Sequence, residues 1–175
     1  MRSCTDILVS LYPCHSTKII NGSKRVELRR RAIRVPPGTR IWIYSTRPRA
    51  CVDAFAVIDA VHELEPTELW RRFGRDASIT RQDFDEYFAG LEIGYALVLR
   101  NVIALRPTLA LESIRIKAGA FHPPQFFKKL NAGSVELAIL KSAAPRLGLP
   151  DPIENAGGRI RRDSRSRTKR RLSLP

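Results

Sequence analysis

Gly22-Ser-Lys-Arg-Val-Glu-Leu-Arg29 sets a lysine, a glutamate and an arginine within eight residues, behind a glycine turn. Val26 and Leu28 alternate with Arg25, Glu27 and Arg29, the period of a strand with one buried face. Glu27 and Arg29 then share a face and are close enough to form an ion pair. Lys24 sits where turn becomes strand, so alternation leaves its direction open. Such a group can hold a polar ligand, or it can be a solvated sheet face.

Working outward, Ile7–Ser10 reads as a first strand. Cys14–Asn21 reads as a short helix after Pro13, with Gly22 placed to end it in the left-handed region. Val35-Pro-Pro-Gly-Thr39 is a turn. Ile41–Ser45 is apolar on both faces and should be a central strand. Cys51–Val61 reads as a strand with Phe55, Val57 and Val61 on one side. Pro66 suits a first helical position, and Leu69, Trp70 and Phe73 form one apolar stripe. Thr80-Arg-Gln-Asp83 resembles a capping box, with Ile79 and Phe84 spaced as a hydrophobic staple. Phe84, Tyr87 and Phe88 then form the buried face of a second helix stopped by Gly90. Tyr95–Leu105 is a long strand with a bulge or bend at Arg100-Asn101. Leu109–Ile116 is placed to close the barrel. Phe121-His-Pro-Pro-Gln-Phe-Phe127 is a rigid turn, and Val135–Ala144 is a helix.

This order, with Gly22-x-Lys24-x-x-Glu27-x-Arg29, the Gly94-Tyr-Ala96 strand opening and Phe121-His-Pro-Pro-Gln-Phe126, resembles the ASCH domain, a branch of the PUA-like β-barrel superfamily. The resemblance runs from about Ile7 to Leu130. It implies a mixed α+β fold: a small β-barrel of about five or six strands, two or three flanking helices, and a cleft that handles RNA or modified nucleosides. Residues 1–130 would form the ASCH-like domain, 131–144 an additional helix, and 145–175 a linker and disordered Arg-rich tail.

Composition bounds the function. The chain has 175 residues and 43% apolar content, enough for one globular domain plus extensions. No run approaches the roughly 18 apolar residues that cross a bilayer. Asp6 interrupts any leader-like start, so no secretory signal is expected. Cys4, Cys14 and Cys51 form no CxxC pair, which suits a reducing cytoplasm. Cys14-His15 lacks further ligands at workable spacing, so no metal is expected. No other cofactor is expected either.

The net charge is +14, and half of it falls in residues 159–175. There Arg159, Arg161, Arg162, Arg165, Arg167, Lys169, Arg170 and Arg171 face only Asp163. A block of like charge with little apolar area cannot bury a core, and its cations suit phosphates without reading sequence.

The resemblance also reaches acetylcytidine amidohydrolases, whose catalytic residues include a lysine shortly after the glycine and a threonine three residues on. Lys24 matches the lysine, but Glu27 replaces the threonine, so the nucleophilic hydroxyl is missing. A lysine beside a carboxylate is better suited to holding a ligand than to attacking an amide. Other members resemble ribonucleases, where such a cluster would act by positioning and charge stabilisation. Three classes of function follow: an RNA- or nucleotide-binding module, a hydrolase of RNA or a modified nucleoside, and a protein-interaction adaptor. The expected ligand wall is Lys24, Glu27 and Arg29, with Ser45 from the neighbouring strand and Gln125 from the Pro-Pro turn; Lys24 and Glu27 are the catalytic candidates.

Overall fold

The computed structural model describes residues 6–144. The linker, the basic tail and Cys4 lie outside the described residues. The chain runs β1 (Asp6–Leu11), α1 (Pro13–Ile20), β2 (Val26–Arg29), β3 (Arg40–Ser45), β4 (Cys51–Leu64), α2 (Pro66–Phe73), α3 (Arg81–Phe88), β5 (Gly94–Ala110), α4 (Leu111–Ala118), β6 (Phe127–Leu130) and α5 (Val135–Ala143). The six strands form one curled sheet, a half-barrel, in the order β2-β5-β4-β3-β1-β6. Only β1 and β3 pair in parallel; every other neighbour is antiparallel. β3 is interior, as its two apolar faces require.

Three apolar clusters hold the layers together. Ile7, Val9, Ile41, Ile43, Ile58 and Leu97 pack on one sheet face with Ile19 of α1. Leu8, Trp42, Phe55 and Leu105 pack on the other, under Ile114 of α4 and Leu137 and Leu140 of α5. Helix α5, read as an addition after residue 130, therefore shares this core. Val26, Leu28 and Ala96 meet Leu69 and Phe73 of α2 and Phe84 and Phe88 of α3. On the second face Asp6 accepts a 2.8 Å bond from the Trp42 indole and lies 3.9 Å from Arg40, so this buried carboxylate has partners.

Several local readings hold. Gly22 has φ +82°, and Gly38 and Gly90 are also left-handed. The Thr80 side chain accepts from the Asp83 amide, capping α3. Asn101 has φ +52° and marks the break in β5, where pairing passes from Val57–Arg100 to Phe55–Ile103.

Others are corrected. Phe55 packs with Trp42, whereas Val61 packs on the opposite face, because register shifts along β4 invert the alternation. Leu109–Ile116 does not close a barrel. β5 ends at Ala110 and α4 begins, because Leu111, Ile114 and Ala118 form a helical stripe against the second face. The strand beyond β1 is β6, antiparallel to it at the edge of the sheet, where the sequence showed only a turn and its continuation. Four helices, α1 to α4, fall before residue 130 rather than two or three, and α5 matches the separate helix expected after it.

Candidate functional site

β2 is a short edge strand, and its Glu27–Arg29 face makes the site. Glu27 pairs with Leu97 and Arg29 with Tyr95 across the ladder, so Glu27 shares the face of Leu97 while Val26 and Leu28 turn into the α2–α3 cluster. Glu27 sits between two cations. Its Oε2 lies 3.3 Å from Lys24 Nζ, and its Oε1 lies 3.2 Å from Arg29 Nε. The side chains of Lys24 and Glu27 are 4% and 8% exposed, so both charges are largely withdrawn from bulk water.

The rest of each cation is held from the other side. Lys24 Nζ donates at 2.9 Å to the Ala77 carbonyl, which settles the direction that alternation left open. Lys18 Nζ donates at 2.9 Å to the next carbonyl, Ser78, and the Arg25 and Val26 amides donate to Asp76. Three consecutive carbonyls of the α2–α3 loop are thus bound from around the start of β2. An ammonium has three donors, so Lys24 keeps one N–H for a ligand. Arg29 reaches the Ser10 carbonyl with Nη2 at 3.5 Å, a long contact. Its Nε pairs with Glu27 by charge but has no aligned hydrogen-bond acceptor.

Lys24, Glu27, Arg29 and Gln125 line one cavity of about 500 Å³. Its volume falls in the range of about 300–1,000 Å³ typical of small-molecule sites. Gln125 reaches it because Ser10 clamps the Pro-Pro turn: Ser10 Oγ donates to the Pro124 carbonyl at 2.6 Å and the Ser10 amide to the Phe126 carbonyl at 3.3 Å. Ser45 is not among the lining residues. It lies on the Ile43 face of β3, fully buried, with Ser16 Oγ at 2.5 Å and Asp53 Oδ2 at 2.6 Å. A buried hydroxyl so close to two partners is satisfied where it is. The next residue, Thr46, leaves the strand and lines the cavity instead.

The structure adds residues that sequence reasoning missed. His15 of α1 lines the cavity, and its Nδ1 is buried without a partner; Thr46 Oγ1 is in the same state. Burial lowers the His15 pKa below its usual 6.5, opposed by Glu27 and reinforced by Lys24, Lys18 and Arg29. Tyr12, Tyr87 and Phe126 are the aromatics among the large exposed apolar side chains of the described residues, and all three line this cavity. Tyr87, read as core from its helical spacing, is 37% exposed. Arg31 lies 4.7 Å above the Phe126 ring. The one available signal was the Pro13 helix start, which puts Tyr12 and His15 within a turn of each other.

No group of three or more His, Cys, Asp or Glu side chains among the described residues could hold a metal ion. No helix among them is long and apolar enough to cross a membrane.

No family model matches the chain. A curated protein called an ASCH domain-containing ribonuclease, from Zymomonas mobilis, is 37% identical over 120 residues, covering 69% of this chain and 80% of the relative. The crystal structure of ASCH from the same organism superposes with a TM-score of 0.73 at 34% identity, over 78% of this chain and 94% of that one. A serine-to-alanine variant of it gives a TM-score of 0.74 at 33% identity, over 81% and 98%. Similarity of this extent in both sequence and fold, over most of each chain, places the protein in the ASCH domain family.

Proposed function

We propose that this ASCH domain binds RNA or a nucleotide in the cavity walled by Lys24, Glu27 and Arg29. The observation that carries the reading is the coincidence, in one cavity, of a buried lysine and a half-buried arginine flanking one carboxylate, together with His15 and Thr46, whose Nδ1 and Oγ1 have no partner. Two cations against one anion leave net positive charge in a site withdrawn from water, where a phosphate is bound more strongly than at the surface. The Arg29 guanidinium offers a planar fork, Lys24 a single aimed donor, and Glu27 braces both. The exposed rings of Tyr12, Tyr87 and Phe126 supply stacking faces for a base. The Arg-rich residues 159–171 add phosphate contacts without sequence readout. Such a protein works in a reducing, cytoplasmic compartment, consistent with the free thiols of Cys14 and Cys51.

The test is binding of labelled single-stranded RNA by Lys24→Gln. Loss of one charge-assisted hydrogen bond should weaken binding about 10- to 100-fold. Because the Ala77 carbonyl also loses its donor, the variant should be less stable by about 1–3 kcal/mol. A folded Lys24→Gln that binds like wild type would remove the cavity from the function.

A second reading, ribonuclease activity, is favoured by His15 together with the name of the Zymomonas relative. A neutral imidazole at the cavity wall can take the proton of a ribose 2′-hydroxyl as its oxygen attacks the adjacent phosphorus. The bond from phosphorus to the 5′-oxygen breaks, that oxygen takes a proton from water, and a cyclic phosphate remains. Lys24 and Arg29 would stabilise the charge that builds on the phosphoryl oxygens. Appearance of a 2′,3′-cyclic phosphate end, lost in His15→Gln, separates cleavage from binding alone.

A further inference from the structure

The cavity continues past His15. His15, Ile79 and Tyr87 also wall an adjoining, more open groove of about 910 Å³, formed by α1, α2, α3 and the loop between α2 and α3. We propose that this groove is a second nucleotide subsite, so that the occupant is a single strand at least two nucleotides long. The proposal rests on the RNA-binding reading of the cavity above.

The side chains of the groove differ in how far they are committed. Arg71 is bound to Glu68 by two bonds of 2.7 and 2.6 Å. Asp83, the carboxylate of the groove, accepts from Thr80 Oγ1 at 2.7 Å. Lys18 spends one donor on the Ser78 carbonyl and keeps two. Arg75 is exposed and makes no ion pair among the described residues, so its whole guanidinium is open to an anion. Trp70 supplies aromatic surface and is held in place: its ring lies 5.1 Å from Phe84, and a Cβ on Gly74 would come within 2.7 Å of it.

The arrangement repeats the chemistry of the cavity, cations beside an aromatic ring, on the far side of His15, Ile79 and Tyr87. A free nucleotide needs only one such place; a strand crossing the shared wall needs both, one for each nucleotide, with the neighbouring phosphate between Lys18 and Arg75. Stacking on successive rings along a basic track is how sequence-tolerant single-strand binding is built. Ser78, at φ +51°, lines the groove just before the shared Ile79 and is fastened through its carbonyl by Lys18. The lysine that lines the groove therefore also braces the loop that forms its wall.

The experiment compares the full chain with Arg75→Glu, an exposed position whose change should leave the fold intact, against a ribonucleoside monophosphate and single-stranded RNA of two to six nucleotides at about 0.15 M salt. Wild type should bind the dinucleotide and longer strands more tightly than the monophosphate. Arg75→Glu should lose about tenfold or more on those strands while binding the monophosphate as before. If Arg75→Glu binds the strands like wild type, or weakens monophosphate and strands equally, the second subsite is overturned and the cavity stands. A wild type with no length dependence has the same meaning. If wild type binds neither ligand, the reading of the cavity fails and this inference fails with it.

Discussion

His15 shows how much one side chain depends on what surrounds it. In sequence it is a histidine beside a cysteine; in the fold it faces Glu27, Lys24, Lys18 and Arg29 across a cavity wall, and burial lowers its pKa. The sign of the consequence is fixed. Below about 6.5 the unfolded chain takes up a proton that the folded chain resists, so stability falls as pH drops through that range and recovers above it. His62 is shifted in the same direction, by burial and by Arg72. Replacing His15 with Gln should therefore flatten part of the acid loss, a change that urea titrations at a series of pH values would reveal. Equal slopes in variant and wild type would mean that His15 is free to protonate when folded. The Glu27–Arg29 pairing was legible at this scale, because strand period places i and i+2 on one face. The Lys24 direction was not, since it depends on the Ala77 carbonyl 53 residues away.

Whole elements were most legible where the signals were local. The Thr80 cap, the Gly22 stop and the Pro66 start act within a turn of themselves, and each matches the structure. Long strands were read less well. β4 and β5 carry register shifts that move side chains from one face to the other, so a count by twos along Phe55, Val57 and Val61 fails. β6 has only four residues and becomes a strand through its pairing with β1. The junction of α3 with β5 supports a prediction at this scale. An added Cβ at Gly94 would press into the Phe88 ring and lie 2.7 Å from Leu69, and both side chains belong to a filled cluster. Gly94→Ala should cost about 1–3 kcal/mol through overpacking, read as a lower denaturation midpoint. A variant that unfolds with the wild-type midpoint would show that α3 can shift to make room.

For the whole molecule, charge and fold separate along the chain. Residues 159–175 hold half the net +14, and their three apolar side chains, Ile160, Leu172 and Leu174, are too few for a core. Deleting them should leave the thermal midpoint unchanged and weaken RNA binding. The slope of log affinity against log salt should become shallower by about 0.7–0.9 for each phosphate that these cations neutralise. The same slope in full-length and shortened protein would make this segment inert in binding. The sequence alone determined the strand-and-helix order as far as β5, the central place of β3, the Lys24-Glu27-Arg29 group and the family it resembles, because strand period, capping and glycine turns are local or periodic signals. Tertiary structure alone decided that β6 adds an edge strand beside β1, that Ser45 is satisfied by Ser16 and Asp53, and that His15, Thr46, Tyr12 and Tyr87 complete the cavity. Those residues come from α1, α3 and the chain ends of two strands. What joins them is the packing of three separate apolar clusters around one curled sheet, which no spacing within a single segment encodes.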